Sequence, residues 1–290
     1  MQPGARPGAR LAIRDLAVRF GDRLVVDVGE LSVDEAEIVG LAGESGSGKS
    51  MTTLAVLGLA HTVGATVSGS IKLDGTELTT MSQRELREVR GRRIAAIFQS
   101  PSMAFSPVFR VGTVVHDALR LHGMSKAAAS EAASRAMRQV LLSPDLLERY
   151  PGHLSGGQLQ RVAIAIALAL RAEVLLADEP TSALDVTVQA EVLALIRELR
   201  EREGMSVLFI SHDLAVVAEL CDRVAIMRGG RIVEQGRAAT VLSAPKDAYT
   251  TDLLAAVPRI GPQRDVTESR GADGIGGVQG TLRANRAPHE

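Results

Sequence analysis

Thiols and aromatic rings are nearly missing from this chain. Cys221 is its one cysteine, tryptophan is absent, and five Phe and two Tyr bring the aromatics to only 2% of 290 residues. One thiol can form neither an internal disulfide nor a cysteine-based metal cage, which points to a reducing compartment. So few rings exclude the stacking platforms that hold single-stranded nucleic acid. Excess charge is missing as well: 33 Lys plus Arg face 34 Asp plus Glu, a formal net charge of -1. That balance argues against coating nucleic acid through bulk charge, so no nucleic-acid partner is expected. The longest strongly apolar run, Val162–Leu170, stops at Arg171, at about half the roughly 20 residues a membrane-spanning helix needs. The first ten residues hold Pro3, Gly4, Pro7 and Gly8 but no apolar stretch, so no secretory signal is expected. The expectation is a soluble cytoplasmic protein; any membrane role must come through a partner.

What is present is apolar and periodic. Hydrophobic residues make up 46% of the chain, enough for a sizeable core in roughly one to two domains. A Pro/Gly/Arg tail covers residues 1–10. Short β-like runs follow at Leu11–Phe20, Leu24–Val28, Ile38–Ala42, Ser68–Asp74 and Ile94–Phe98, with Asp74-Gly75 as a turn. Ser50–Ala60 reads as a helix. Prolines 101, 107, 144 and 151 punctuate an Ala-rich helical stretch from about 100 to 157, including Lys126–Val140. Gln158–Leu170 reads as a buried helix, Val174–Ala177 and Val207–Ile210 as buried strands, and Val188–Glu201 as an amphipathic helix between them. Alternating strands and helices predict an α/β fold with a largely parallel sheet. Beyond about Pro258 the composition turns to Gly, Arg, Asp, Gln and Asn, and 259–290 are expected to be disordered.

Gly43-Glu44-Ser45-Gly46-Ser47-Gly48-Lys49-Ser50 fits G-x-x-x-x-G-K-[ST] in full, between a predicted strand and a predicted helix. Glycines let backbone N–H groups turn inward without a Cβ clash. Those groups make a concave anion site at a helix N-terminus. Lys49 would reach the β- and γ-phosphates, and Ser50 would offer its hydroxyl oxygen to Mg²⁺. The motif specifies nucleotide binding, not what the nucleotide drives.

Val174–Ala177 runs into Asp178 and Glu179. Neighbouring residues at a strand end point in different directions. Asp178 can therefore hold Mg²⁺, directly or through water, while Glu179 faces the γ-phosphate as general base for the attacking water. His212 follows the strand Val207–Ile210 in the matching place, where α/β folds gather ligands, and is expected to contact the γ-phosphate. Gln99 ends its strand likewise and is expected to sense Mg²⁺ or the attacking water.

Leu154-Ser155-Gly156-Gly157-Gln158-Leu159-Gln160-Arg161 opens the buried helix and forms a second Gly-rich helix N-terminus. With one complete phosphate loop in the chain, the economical reading is that this site serves a nucleotide held by another subunit. This stretch resembles the signature motif of ATP-binding cassette (ABC) ATPases. The family's other motifs occur in its order: Gly43–Ser50 (Walker A), Gln99 (Q-loop), Leu154–Arg161, Val174–Glu179 (Walker B), Ser182-Ala183-Leu184-Asp185 (D-loop) and His212 (switch histidine). The resemblance spans about residues 11–256. It implies a P-loop NTPase with a RecA-like core, an antiparallel β subdomain and an α-helical subdomain, within a cassette of residues 11–258. It also implies a head-to-tail dimer with two ATP molecules at the interface. In that arrangement Gly43, Ser45, Gly46, Gly48, Lys49, Ser50 and Met51 of one subunit bind ATP. Ser155, Gly157 and Gln158 of the other cover it, and Asp185 links the two sites. Phe20 stands where the family places an adenine-stacking aromatic.

Two stretches narrow the resemblance. Phe98–Val108 is similar to the F-Q-[DE]-P-x-x-[SA]-L-N-P segment of dipeptide, oligopeptide and nickel importer ATPases, with Ser100, Phe105 and Ser106 in place of the commoner acidic residue, Leu and Asn. Ala244–Leu254 is similar to their P-x-H-P-Y-T-x-x-L-L segment, with Ala248 before Tyr249. Asp185–Ala190 is also similar to that group. Some relatives carry a C-terminal cysteine cluster for an iron–sulphur centre; Cys221 alone cannot supply one. The implied function is the motor subunit of an importer at the cytoplasmic membrane face. Its implied partners are permease subunits, a second ABC ATPase subunit and, through the complex, an extracytoplasmic substrate-binding protein. An export ATPase shares the catalytic motifs and stays open as the alternative. A DNA-repair or chromosome-type ATPase would need coiled-coil heptads or a basic stripe, and neither is visible.

Overall fold

A computed structural model describes residues 8–99, 105–182 and 184–256. Two sheets organise it. Strands β1 (Leu11–Phe20), β2 (Arg23–Val33), β4 (Thr66–Leu73) and β5 (Thr76–Glu77) form an antiparallel sheet in the order β2-β1-β4-β5. Strands β3 (Ile38–Ala42), β6 (Ile94–Ile97), β7 (Val174–Asp178), β8 (Ser206–Ser211), β9 (Arg223–Arg228) and β10 (Arg231–Arg237) form the second, in the order β10-β9-β3-β8-β7-β6. Every neighbour pair in the second sheet is parallel except β9–β10.

The continuous apolar runs have a simple cause: the parallel sheet is covered on both faces. Along β7, Val174 and Leu176 pack into the core that also holds Val18 and Val28 of the antiparallel sheet. Leu175 and Ala177 point the other way, into the core shared with Val162 and Ile196. In β8, Leu208 and Ile210 face the first core, and Val207 and Phe209 the second. A strand alternates its side chains, so covering both faces demands apolar residues at every position.

The helices are α1 (Lys49–Val56), α2 (Gln83–Val89), α3 (Val111–Leu121), α4 (Lys126–Gln139), α5 (Gly156–Ala169), α6 (Val186–Glu203), α7 (Leu214–Leu220), α8 (Ala238–Ser243) and α9 (Ala248–Ala255). Between β6 and α5 the described chain is helical, and Phe105 is buried in the core beside Val111 and Leu119. Among the described residues no helix is long and apolar enough to cross a membrane.

Several boundaries differ from the sequence reading. The first helix was expected to reach Ala60 but stops at Val56, because Gly58 turns left-handed at φ 63°. A short 3-10 turn then covers Ala60–Val63. β2 extends well past Val28, since its pairing with β1 continues to Leu11↔Val33. The β9–β10 hairpin was not anticipated. Its signal was Gly229-Gly230, both at positive φ, the turn that two-residue hairpins require. Residues 1–7, Ser100–Ala104, Ala183 and the tail 259–290 lie outside the described residues. Arg10, assigned to the first tail, pairs with Glu35 at 2.6 Å, and its carbonyl accepts the Asp74 N–H at 2.8 Å.

Candidate active site

Parallel register brings four strand ends to one edge. Ala42 pairs with Ser211, Asp178 with Ile210, and Ile97 with Ala177. The residues just beyond, Gly43, His212, Glu179 and Gln99, therefore emerge together. They border an open cleft of about 640 Å³, which Glu44, Ser45, Gly46, Gly48, Lys49, Ser50 and Met51 also line.

The loop from Gly43 to Gly48 has a fixed backbone path. Gly43 sits at φ 152°, and a Cβ there would lie 2.1 Å from the Met227 carbonyl oxygen. Gly48 caps α1 at φ 107°, where a Cβ would come 3.1 Å from the Val25 carbonyl oxygen. Both positions admit only glycine without a shift of backbone. The Gly230 N–H donates to the Ser47 carbonyl at 2.9 Å and ties the loop to the β9–β10 turn. Inside the loop, Lys49 Nζ donates to the carbonyls of Gly43 at 2.7 Å and Glu44 at 2.8 Å. Burial pushes the Lys49 pKa down, against the opposing pull of Glu179, Asp178 and Glu44.

The two carboxylates at the end of β7 separate as expected. Asp178 is buried, and its Oδ1 accepts from the Ser50 hydroxyl at 3.1 Å. Burial pushes its pKa up; the Ser50 hydrogen bond and Lys49 oppose the shift, and Glu179 adds to it. Glu179 turns away with φ 48°, its N–H donating to the Ile210 carbonyl at 2.9 Å. Its two oxygens are held separately. Gln99 Nε2 donates to Oε2 at 3.0 Å, and His212 Nδ1 lies 3.0 Å from Oε1. Gln99, Glu179 and His212 thus form one connected set facing the loop.

Ser155, Gly157, Gln158 and Asp185 do not line this cleft. Ser155 caps α5 in a reciprocal box: the Gln158 N–H donates to Ser155 Oγ at 3.2 Å, and the Ser155 N–H to Gln158 Oε1 at 2.9 Å. Gly157 lies against α6, where a Cβ would meet Val188 Cγ1 at 2.2 Å. Asp185 caps α6, accepting from the N–H groups of Thr187 and Val188 at 3.1 and 3.0 Å. Phe20 ends β1 half-exposed, so its ring is not a core side chain, yet it too is absent from the lining of the cleft. Three residues the sequence reading passed over do belong here. Val25 and Leu253 line the cleft, and Tyr249 accepts the Glu44 N–H. For Tyr249 and Leu253 the signal is the Ala244–Leu254 stretch; Val25 lies outside it.

The edge thus carries a P-loop nucleotide site with an acid–amide–imidazole set opposite it. The chain belongs to the ABC transporter family, whose profile matches residues 26–182. It is 45% identical over 266 residues to the probable peptide ABC transporter ATP-binding protein y4tR of Sinorhizobium fredii, covering 89% of this chain and 79% of that one. It is 40% identical over 265 residues to the dipeptide transport ATP-binding protein DppD of Escherichia coli, covering 89% and 81%. Among solved structures, an ATP-binding cassette seen as a dimer in a post-hydrolysis state with ADP and Pi superposes with a TM-score of 0.68, at 26% identity, covering 79% of this chain and 98% of that one. ATP binding and hydrolysis in the service of transport is accordingly this chain's activity.

Proposed function

We propose that this chain is the motor subunit of an importer for peptides or a closely related small solute. The names of its peptide-transport relatives support that cargo class. In this reading Gly43–Met51 grip the ATP phosphates, with Lys49 as the point charge, and Phe20 stacks on adenine. Ser50 and Asp178 offer two adjacent oxygen donors, a set that suits the small hard cation Mg²⁺, which keeps its remaining positions for water and phosphate oxygen. Bound there, Mg²⁺ would neutralise phosphate charge. Glu179 orients and deprotonates the attacking water. Gln99 and His212 fix its carboxylate and watch the γ-phosphate position.

The observation that carries the reading is the suspension of Glu179 between Gln99 and His212, in the cleft that Lys49 also lines. Glu179→Gln keeps the shape and removes the base. ATP turnover in the assembled transporter should fall by about 10²–10⁴; turnover like the wild type would strip Glu179 of that role.

Ser155, Gly157 and Gln158 cover the nucleotide of a neighbouring cassette, and Asp185 lies at the same interface. The neighbour is a second ABC ATPase subunit, either a paralogue or a second copy. Closure around ATP and opening after hydrolysis form a ligand-biased two-state switch. Permease subunits hold the cassette of residues 11–258 at the cytoplasmic membrane face. Its helical region, 100–157, pushes on them, and an extracytoplasmic binding protein delivers the solute.

A further inference from the structure

The phosphate loop is anchored from outside by a residue 205 positions away. Glu44 donates its backbone N–H to the hydroxyl oxygen of Tyr249 at 3.2 Å. The carbonyl of the same residue accepts from Lys49 Nζ at 2.8 Å. Both peptide groups flanking this loop residue are therefore held: the loop's own lysine binds both carbonyls, and α9 supplies the partner of the Glu44 N–H.

The tyrosine is itself rigidly placed. It is 5% exposed, and the Arg228 guanidinium sits 4.7 Å from its ring centroid. Its N–H donates to Asp247 Oδ1 at 2.8 Å. Glu234 on β10 in turn accepts from the N–H groups of Lys246 at 2.9 Å and Asp247 at 3.2 Å. One turn beyond Tyr249 on α9, Leu253 reaches the cleft. A connected path thus runs from the outer strand through the cap of α9 to the loop.

We propose that Tyr249 is a positioning residue that holds the phosphate loop in its nucleotide-binding shape, so that the seating of α9 sets nucleotide affinity. Without the hydroxyl, Glu44 loses its outside tether, and nucleotide must bind a loop that is less fixed beforehand. The proposal rests on the reading of Gly43–Ser50 as the phosphate site.

The test is calorimetric titration of the full chain with Mg·ADP, for wild type, Tyr249→Phe and Lys49→Ala, together with nucleotide-free Tm. Tyr249→Phe keeps the ring beneath Arg228 and removes only the oxygen. Its Kd should rise about 2- to 10-fold, the range of one neutral hydrogen bond, with nucleotide-free Tm within about 2 °C of wild type. The Glu44 amide should also exchange faster with deuterium, a change that general loosening of the fold would not confine to the loop. An unchanged Kd in Tyr249→Phe, beside lost binding in Lys49→Ala, overturns the anchor alone. Unchanged Kd in both variants overturns the phosphate-site reading and the anchor with it. A fall in nucleotide-free Tm with Kd unaltered makes Tyr249 a packing residue and also overturns the proposal.

Discussion

Asp178 and Glu179 are chemically near-identical neighbours placed in opposite circumstances. Asp178 is buried beside Ser50 and Lys49, whereas Glu179 leaves the strand at positive φ and reaches Gln99 and His212. A non-glycine residue in that backbone region costs about 1–2 kcal/mol, a cost that function sustains. Burial also makes Asp178 a liability to the nucleotide-free fold. Its raised pKa means that its contribution to stability is full below the ordinary carboxylate range of about 4 and is lost as pH rises through the raised value. Asp178→Asn should therefore raise the Tm of the nucleotide-free protein at pH 7–8, with the gain shrinking on acidification, while Mg²⁺-dependent nucleotide binding weakens. Thermal melts across pH in the absence of nucleotide check this; a variant less stable at neutral pH would contradict it. These residues were legible in the sequence because each ends a short apolar run, and strand ends of a parallel sheet converge. Tyr249 was not, because nothing local in Tyr249-Thr250-Thr251 encodes a partner at Glu44.

At the scale of elements, two glycines separate backbone necessity from packing necessity. Gly43→Ala places a Cβ 2.1 Å from the Met227 carbonyl oxygen at a φ that alanine rarely adopts. Backbone cannot yield cheaply, so the loop must distort. The change should cost about 1–3 kcal/mol and abolish nucleotide binding, as denaturation midpoints and Mg·ADP titration would report. Gly157 is different, because its obstacle is the Val188 side chain on α6. Alanine is the better helix former by up to about 1 kcal/mol, yet β-branched Val188 has little rotamer freedom to move aside. Gly157→Ala alone should destabilise by about 1–3 kcal/mol. Combined with Val188→Ala, the same change should become neutral or stabilising. A double-mutant cycle in urea measures the coupling, and additive effects would refute the contact. Strand and helix positions were readable from apolar periodicity, but their ends were not. The left-handed Gly58 and the Gly229-Gly230 turn stop or redirect the chain through φ, which periodicity does not register.

For the molecule as a whole, the proposed function divides the labour between two cassettes. One edge of the sheet gathers Lys49, Glu179, Gln99 and His212 around an open cleft, with Asp178 hydrogen-bonded to Ser50 of its lining, while Ser155, Gly157, Gln158 and Asp185 stand outside that lining. The Ser155 box and the Asp185 cap give each segment a local structural duty; the proposed facing cassette would give them a chemical one. The sequence indicated this split, because one complete phosphate loop accompanies a second Gly-rich helix N-terminus. The identity of the facing molecule was not legible, since no residue of this chain is a record of its neighbour's.

The shared site is a matter of geometry, and it is read from the position of Ser155 relative to nucleotide in the assembled transporter, trapped with ATP by Glu179→Gln and solved to atomic resolution. Ser155 Oγ and the Gly157 N–H should lie within hydrogen-bonding distance of the phosphates held by the neighbouring cassette's loop. A nucleotide enclosed wholly by the subunit whose Lys49 binds it, with Ser155 and Gly157 turned to solvent, would contradict it.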